Sequence, residues 1–140
     1  MIEVRQPTKA EFLEVVGNDN PLWDNRIPKF ERCRNVFCLF DEDVPKVVWG
    51  CTPLSALSKS AWVWVYTVEN KKYTYHILRI GKQYIEDMKD CYKELLASCV
   101  KGKEKSYRYA SWLGFEVDEE REKIYNTSKH NILRQYGRRS

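Results

Sequence analysis

The chain has 140 residues, 43% of them hydrophobic and 31% charged, a composition typical of one globular domain with one core. The net charge of +4 is too small for a dedicated nucleic-acid binder. The five cysteines form no CxxC motif and the two histidines have no ligand cluster around them, so we predict neither a disulfide framework nor a metal site. The sequence lacks an apolar run of membrane-spanning length and a signal-peptide pattern, and we expect a cytoplasmic location.

The first predicted elements are a strand and a short helix. Residues 2–5 alternate apolar and polar side chains, which is typical of a strand. Thr8 and Glu11 have the spacing of a capping box, in which each side chain accepts a hydrogen bond from the other residue's backbone N–H. The helix that begins there presents Phe12 on its apolar face and is expected to end at Gly17.

The middle of the chain predicts three further strands. Residues 21–32 contain two prolines and predict a loop or one irregular helical turn. Residues 34–40 and 46–51 are strand-like, and the acidic turn at 41–45 favours an antiparallel hairpin between them. Residues 61–68, AWVWVYTV, form a continuous apolar run, which indicates a central strand covered on both faces.

A long amphipathic helix is predicted after a polar hinge at residues 70–75. Apolar side chains recur at three- and four-residue steps from Ile77 to Cys99, and charged side chains occupy the other face. Thr74 is a candidate cap at the start of this helix.

The C-terminal part of the chain predicts a short helix and a strand pair. After a charged break at 101–105, the spacing predicts a helix over 106–113 that ends at Gly114, a residue suited to a left-handed cap. Residues 115–117 and 122–125 are expected to form a final pair of strands.

The predicted organisation is a single domain over residues 1–128 and a basic tail over residues 129–140. From residue 126 the chain is polar and basic, and we expect its end to be frayed. The element order predicts a mixed α+β fold, in which helices flank a mostly antiparallel sheet and one long helix is central.

Short motifs give the chain a resemblance to known families. The segment YRYASWLGFEV, residues 107–117, resembles the helix-to-strand ending of the GNAT acetyltransferase superfamily, and the element order is similar to that superfamily's. The opening IEVRQPTKAEF, the segment AWVWVYTVE and the ending WLGFEVDEE resemble the podovirus internal virion protein A family. This second resemblance covers nearly the whole chain apart from residues 18–32.

The GNAT resemblance implies a site for acetyl-CoA or CoA at the central strand and the hinge. Pantetheine would pair with the exposed edge of the strand, which here is formed by Tyr66, Thr67 and Val68. Pyrophosphate would lie on a glycine-rich loop at the N-terminus of the long helix, where backbone N–H groups are unpaired. The residues in the place of that loop here are Asn70, Lys71, Lys72, Tyr73 and Thr74.

The sequence departs from the GNAT pattern at its functional positions. The hinge NKKYTYH has no glycine, and the first glycine after it is Gly81. Tyr73 and Tyr75 would crowd the space where a backbone approaches phosphate. Ala110 stands where active relatives usually carry the tyrosine general acid, and Lys103 where asparagine is common. We therefore predict a degenerate cofactor site.

Several residues have both a functional and a structural interpretation. Lys71 and Lys72 are candidate phosphate ligands, although we favour a solvated charge pair. Tyr107 and Tyr109 are candidate replacements for the general acid, and packing is the favoured alternative. Glu69 is a candidate general base acting through water, and a solvated carboxylate at a strand end is favoured over it.

Two further features bear on nucleic acid. The aromatic residues Trp62, Trp64 and Tyr66 alternate along the central strand, and core packing is favoured there over a stacking surface for bases. The tail ILRQYGRRS is a candidate contact for nucleic acid or a scaffold protein, and solubility is the alternative.

The resemblance implies a phage-encoded protein that acts through protein–protein contacts in virion morphogenesis or host takeover. Its partner would be a phage or host protein, and its location the cytoplasm of the infected bacterium or the virion, with no membrane partner. An active acetyl-CoA-dependent N-acetyltransferase with an atypical pyrophosphate loop is the alternative. A nucleic-acid-associated accessory protein is the third hypothesis.

Overall fold

The computed structural model describes residues 1–17, 29–55, 57–68, 71–125 and 129–139. Its main elements are β1 (Ile2–Arg5), α1 (Lys9–Val16), β2 (Arg34–Asp41), β3 (Val44–Pro53), β4 (Ser60–Thr67), α2 (Thr74–Cys91), β5 (Glu94–Val100), α3 (Glu104–Trp112), β6 (Glu116–Val117), α4 (Glu119–Tyr125) and β7 (His130–Tyr136). Short 3-10 turns at Phe30–Arg32 and Lys71–Tyr73 precede β2 and α2.

The strands of the described residues follow the order β1-β2-β3-β4-β5-β7-β6. Antiparallel ladders join β1 to β2, β2 to β3, β5 to β7 and β6 to β7, whereas β4 and β5 are parallel. A parallel pair needs a crossover connection, which α2 supplies between β4 and β5. The predicted α+β fold with a mixed, mostly antiparallel sheet and flanking helices is therefore confirmed. Within the described ranges, no helix is long and apolar enough to span a bilayer.

The chain divides into two compact units. The first unit comprises Met1–Pro53 and Val63–Gly81, and the second comprises Leu54–Trp62 and Lys82–Ser140. The N-terminal strands and the beginning of α2 belong to the first unit, and β5 with all later elements belongs to the second.

In the first unit, α1 has the ends that its sequence predicts. Thr8 and Glu11 form the capping box, with Thr8 N–H donating to Glu11 Oε1 at 2.8 Å and Glu11 N–H donating to Thr8 Oγ1 at 3.3 Å. The chain leaves the helix at Gly17, whose φ of +85° is favourable mainly for glycine. The helix buries Phe12 completely, in a core cluster with Cys38, Phe40 and Val48.

The β2–β3 hairpin of the first unit turns through two residues. Glu42 and Asp43 have φ angles of +50° and +65°, and Asp41 lies opposite Val44 in the register. Positive φ at both central positions defines a type I′ turn, whose twist matches that of the flanking strands. The hairpin expected around the acidic turn is confirmed, although its loop is shorter than the five residues proposed.

The long helix is shorter than its apolar pattern predicts. It ends at Cys91, and Leu95, Leu96 and Cys99 lie in β5 instead. The prediction is wrong here because ELLASCV is a short apolar run whose spacing also continues the helical stripe. As a strand it can pair on both sides, with Leu96 opposite Trp62 of β4 and opposite Arg134 of β7.

In the second unit, α3 ends in the Schellman motif that Gly114 predicts. The N–H of Phe115 donates to Ala110 O at 3.0 Å, and the N–H of Gly114 donates to Ser111 O at 3.0 Å. Gly114 has a φ of +104°, so the left-handed cap is confirmed. Trp62 is buried with Leu96 and Ile132, as the core interpretation of that side chain requires.

Two C-terminal predictions are wrong. Residues 122–125 belong to the helix α4, not to a strand, and residues 130–136 form β7, not part of a frayed end. β7 pairs with β5 and β6, and it buries Ile132 and Leu133 completely. Strand pairing and this burial outweigh the polar composition that suggested disorder.

The residues after β7 are also held in place. The N–H of Gly137 donates to Lys93 O at 2.7 Å, and the N–H of Arg138 donates to Lys89 O at 2.6 Å. The Arg138 guanidinium contacts Asp90 Oδ1 at 2.6 Å and Glu86 Oε2 at 3.1 Å. Arg138 therefore lies against the last turns of α2, where a cation also suits the negative end of the helix dipole.

Candidate functional site

The hinge before α2 is a 3-10 turn over Lys71–Tyr73 that leads directly into the helix at Thr74. The Thr74 hydroxyl donates to Lys71 O at 2.9 Å. The predicted role of Thr74 as a cap is therefore wrong, because a cap side chain must accept from a backbone N–H rather than donate to a carbonyl.

Asp41, the last residue of β2, accepts hydrogen bonds from two residues of the hinge. Its Oδ2 receives a hydrogen bond from Lys72 Nζ at 2.9 Å and another from the Tyr73 hydroxyl at 2.8 Å. The Tyr73 side chain is only 2% exposed, whereas the ammonium end of Lys72 lies at the surface. One carboxylate oxygen thus fixes two consecutive hinge residues, and we call these three residues the hinge lock.

The electrostatics of the hinge lock are mutually favourable. Hydrogen bonds from Lys72 and then Tyr73 lower the pKa of the Asp41 carboxyl below its ordinary value. The bond to Asp41 raises the pKa of Lys72 and is also the main cause of a raised pKa for Tyr73. At neutral pH the lock therefore holds an ionised carboxylate, a charged ammonium and a neutral phenol.

The hinge lock engages one of the two lysines that are candidate phosphate ligands. A pyrophosphate at this helix N-terminus would compete with Asp41 for Lys72 and would meet the like charge of that carboxylate. Among the residues that the structure describes, Lys71 is exposed and forms no ion pair, so it alone of the two lysines is available to an anion. The residues present do not fit a pyrophosphate as a glycine-rich loop does.

The strand edge expected to hold pantetheine is only partly exposed. The parallel ladder to β5 runs from Ser60 opposite Glu94 to Trp62 opposite Leu96, whereas β4 continues to Thr67. Tyr66 and Val68 are half-buried, Thr67 is exposed, and the N–H of Val68 donates to Lys46 O at 3.0 Å.

The aromatic residues of β4 beyond Trp62 pack within the first unit. The indole N–H of Trp64 donates to Thr52 Oγ1 at 3.1 Å, and its ring lies 5.7 Å from the Tyr66 ring and 5.9 Å from the Phe12 ring. Trp64 also fills the space beside Gly50, where any Cβ would lie 2.5 Å from the indole. These contacts support the core interpretation of the aromatic strand.

The candidate acids lie on α3, in the second unit. Burial raises the pKa of Tyr109 to about 12, and its ring stacks on Trp112 with centroids 6.3 Å apart. Tyr107 is 40% exposed, and Ala110, in the position of the expected tyrosine, is buried. Tyr109 is adjacent to position 110 and points in another direction, whereas Tyr107 lies three residues before Ala110 and therefore on the same side of α3.

Two predicted site residues, Glu69 and Asn70, lie outside the described residues. The candidate cofactor residues from Tyr66 to Thr74 that are described all belong to the first unit, and Tyr107 and Tyr109 belong to the second. Sequence reasoning missed Asp41, because it lies 31 positions before Lys72 and its only local signal is an acid at a strand end.

Comparisons with known proteins agree with this fold. No family model and no curated protein matches the chain. A Salmonella typhimurium protein solved with its cofactor acetyl-CoA superposes with a TM-score of 0.66 at 12% identity, covering 97% of this chain and 94% of its own. The ribosomal-protein-alanine N-acetyltransferase of Brucella melitensis superposes with a TM-score of 0.65 at 14% identity, covering 96% of this chain and 99% of its own. A Bacillus subtilis acetyltransferase in complex with CoA superposes with a TM-score of 0.61 at 13% identity, covering 96% of this chain and 97% of its own. The chain has the GNAT acetyltransferase fold.

Proposed function

We propose that this chain is a GNAT-fold protein whose cofactor hinge is degenerate and which acts through protein–protein contacts rather than acetyl transfer. The observation that carries the proposal is the hinge lock, because Asp41 binds both Lys72 and Tyr73 where a pyrophosphate loop would present bare backbone. A buried phenol and a paired ammonium leave little room and little net positive charge for a diphosphate.

The absence of a tyrosine at position 110 supports the same proposal. A methyl group cannot protonate a leaving thiolate, and Ala110 is itself packed in the interior of the second unit. Burial raises the pKa of Tyr109 to about 12, which makes its phenol a weaker acid than an ordinary tyrosine. A chain that is not selected for catalysis would keep neither a tyrosine at position 110 nor a hinge that is open to pyrophosphate.

The biological setting is proposed from the resemblance alone. The motifs shared with the podovirus internal virion protein A family suggest a phage protein that contacts a phage or host protein during virion morphogenesis or host takeover. Mass spectrometry of purified particles tests this setting. Detection of the chain at a fixed copy number supports a virion role, and its restriction to host complexes supports a host role. Absence from both contradicts the proposed setting.

An acetyl-CoA-dependent N-acetyltransferase is the second candidate function. It is favoured by β4, whose parallel ladder ends at Trp62 while the strand continues for the rest of its length, and by neighbours solved with acetyl-CoA or CoA. In this case Tyr107 or Tyr109 would be the acid and Glu69 the base. The hinge residues do not fit the pyrophosphate, so this candidate needs an unusual mode of cofactor binding.

A calorimetric titration with acetyl-CoA tests the role of the hinge lock. We expect Asp41→Asn to bind acetyl-CoA at least about tenfold more tightly than the wild type, because Lys72 is released and a like charge is removed. Asp43→Asn is the matched control, since it removes the same charge two residues away and asparagine tolerates the positive φ found there.

The two variants separate the hinge lock from general charge. Equal affinities of Asp41→Asn and Asp43→Asn would show that the pairing with Lys72 does not obstruct the site. Tight binding by the wild type, together with release of free thiol from acetyl-CoA in the presence of an amine, would establish the enzyme instead.

A further inference from the structure

The outer face of α3 combines cations with aromatic rings. Lys105, Arg108, Tyr109 and Trp112 follow the i, i+3, i+4, i+7 spacing, which places them along one side of the helix. Lys105, Arg108 and Trp112 are exposed, and Tyr109 is half-buried beneath them. This face lies entirely within the second unit.

Two turns at the N-terminal end of α3 carry further positive charge. Lys101 and Lys103 precede α3, and the N–H of Lys101 donates to Lys129 O at 2.9 Å, so the turn before β7 lies beside them. All three lysines are exposed. Together with Lys82 they complete what we call the basic–aromatic surface, which consists of Lys82, Lys101, Lys103, Lys105, Arg108, Tyr109, Trp112 and Lys129.

The lysines of this surface are not neutralised by nearby carboxylates. In the part of the chain that the structure describes, Lys101, Lys103, Lys105 and Lys129 form no ion pair. Arg108 contacts Glu104 at 3.3 Å, and both side chains are more than three-quarters exposed, so that pair is weak.

The paired acid Glu94 lies at the end of the β5–β7 ladder that is far from the basic turns. Glu94, opposite Tyr136 at one end, forms a bidentate pair with Arg121, which also contacts Asp118. Val100 lies opposite His130 at the other end, beside the basic turns. Seven residues of strand separate the two ends, a distance of about 20 Å. The bidentate Glu94–Arg121 pair therefore lies too far away to neutralise the lysines of the basic turns.

Trp112 adds a flat apolar surface at the C-terminal end of α3. Its side chain is 51% exposed, and Tyr109 supports its ring from within the helix. Lys82 Nζ lies 4.5 Å from the centroid of the Trp112 ring, within the range of a cation–π contact. A base that stacks on the exposed part of the Trp112 ring would replace Lys82 Nζ there, and the nearby cations would provide a positive field for its phosphates.

We propose that the basic–aromatic surface binds single-stranded nucleic acid without sequence preference. The lysines would contact successive phosphates and Trp112 would stack on one base. An acidic protein segment would need the lysines alone and would leave Trp112 unused, so the aromatic ring favours nucleic acid. This proposal moves the nucleic-acid contact away from the C-terminal arginines, because Arg138 is already paired with Glu86 and Asp90. It goes beyond the protein-contact function and does not depend on it.

Fluorescence anisotropy with a labelled oligo-dT strand tests this proposal over a series of salt concentrations. Three to four lysine–phosphate contacts predict a slope of log K against log salt of about −2 to −3. The double variant Lys101→Gln, Lys105→Gln should lower the magnitude of this slope by about 1.4. Trp112→Ala should weaken binding by about 5- to 100-fold with the slope unchanged, and Trp112→Phe should restore most of the loss.

Arg139→Gln is the matched control, because it removes one cation from the terminal segment instead. We expect it to leave the slope and the affinity nearly unchanged. The proposal is overturned if oligo-dT does not bind at low salt, or if Arg139→Gln, which removes one cation, lowers log K by half as much as the double lysine variant, which removes two. It is also overturned if polyglutamate binds equally well and Trp112→Ala binds oligo-dT like the wild type, since the surface would then recognise only negative charge. The variants change exposed side chains, and circular dichroism checks that each remains folded.

Discussion

The hinge lock of the first unit and the basic–aromatic surface of the second unit both combine lysine with an aromatic residue, but their environments differ. In the hinge lock, Asp41 binds the Lys72 ammonium and the Tyr73 hydroxyl, and the tyrosine ring is buried. On the basic–aromatic surface, Lys101 and Lys105 have no acidic partner among the described residues, and Trp112 is half exposed.

We infer from this difference that the number of lysines in a segment does not by itself decide whether it can hold an anion. The partners decide it, because an ammonium paired with a carboxylate must lose that contact before it binds phosphate. We therefore expect the hinge, which stands in the place of a phosphate loop, to bind phosphate less well than the basic–aromatic surface does.

The largest expected effect compares the two aromatic residues. Truncating a fully buried ring to alanine leaves a cavity, and we expect Tyr73→Ala to lower the midpoint of urea unfolding by roughly 1–2 M. Trp112→Ala should lower it by no more than about 0.5 M, because half of that side chain already contacts water. Similar decreases for the two variants would contradict the contrast between a packed hinge and an open surface.

The second prediction concerns the residues after β7, which are held by contacts with other residues, as the hinge is. A Cβ on Gly137 would overlap the carbonyl oxygen of Tyr92, so Gly137→Ala should lower the free energy of unfolding by about 1–3 kcal/mol. Arg139→Ala, two residues further on and exposed, serves as the control and should change it by less than about 0.5 kcal/mol. Urea titrations measure both changes. If Gly137→Ala leaves the free energy of unfolding unchanged, the residues after β7 are not packed against Tyr92.

The third prediction uses acid to open the hinge lock. The pKa of Asp41 is lowered in the folded protein, so its stabilising effect is present above the unfolded-state pKa of about 3.9 and is lost as pH falls through the folded value. We expect the urea midpoint of Asp41→Asn to fall less between about pH 5 and pH 2 than that of Asp43→Asn. If the urea midpoints of the two variants fall equally over this pH range, Asp41 does not stabilise the folded protein through its contacts with Lys72 and Tyr73.

The smallest expected effect is at the exposed ion pair of α3. Arg108→Gln should change the free energy of unfolding by less than about 0.5 kcal/mol, because Arg108 and Glu104 are both well exposed. The same urea titration provides the measurement. A loss greater than about 1 kcal/mol would indicate that this face of α3 is packed rather than open.

Local signals in the sequence predict much of the fold. The capping box at Thr8 and Glu11, the acidic hairpin turn and the left-handed cap at Gly114 each involve residues a few positions apart. Their chemistry is therefore visible in a short window of sequence. Together with the motifs, these signals predict the elements from β1 to α2, α3 and β6, but not β5, α4 or β7.

Non-local pairing explains what the sequence does not predict. β5 extends an apolar stripe that also fits a helix, and only its ladders with β4 and β7 make a strand favourable. β7 is polar in composition, but Ile132 and Leu133 are buried by the sheet. The hinge lock likewise depends on Asp41, whose approach to Tyr73 requires the folded first unit.

The most direct test of the degenerate hinge is a calorimetric titration of the wild-type protein with CoA, beside the Lys71→Glu, Lys72→Glu double variant. The hinge lock predicts no saturable binding up to about 1 mM CoA, with the double variant indistinguishable from the wild type. A dissociation constant of about 10 µM or below for the wild type, lost in the double variant, would contradict it and show that the hinge lysines hold the cofactor.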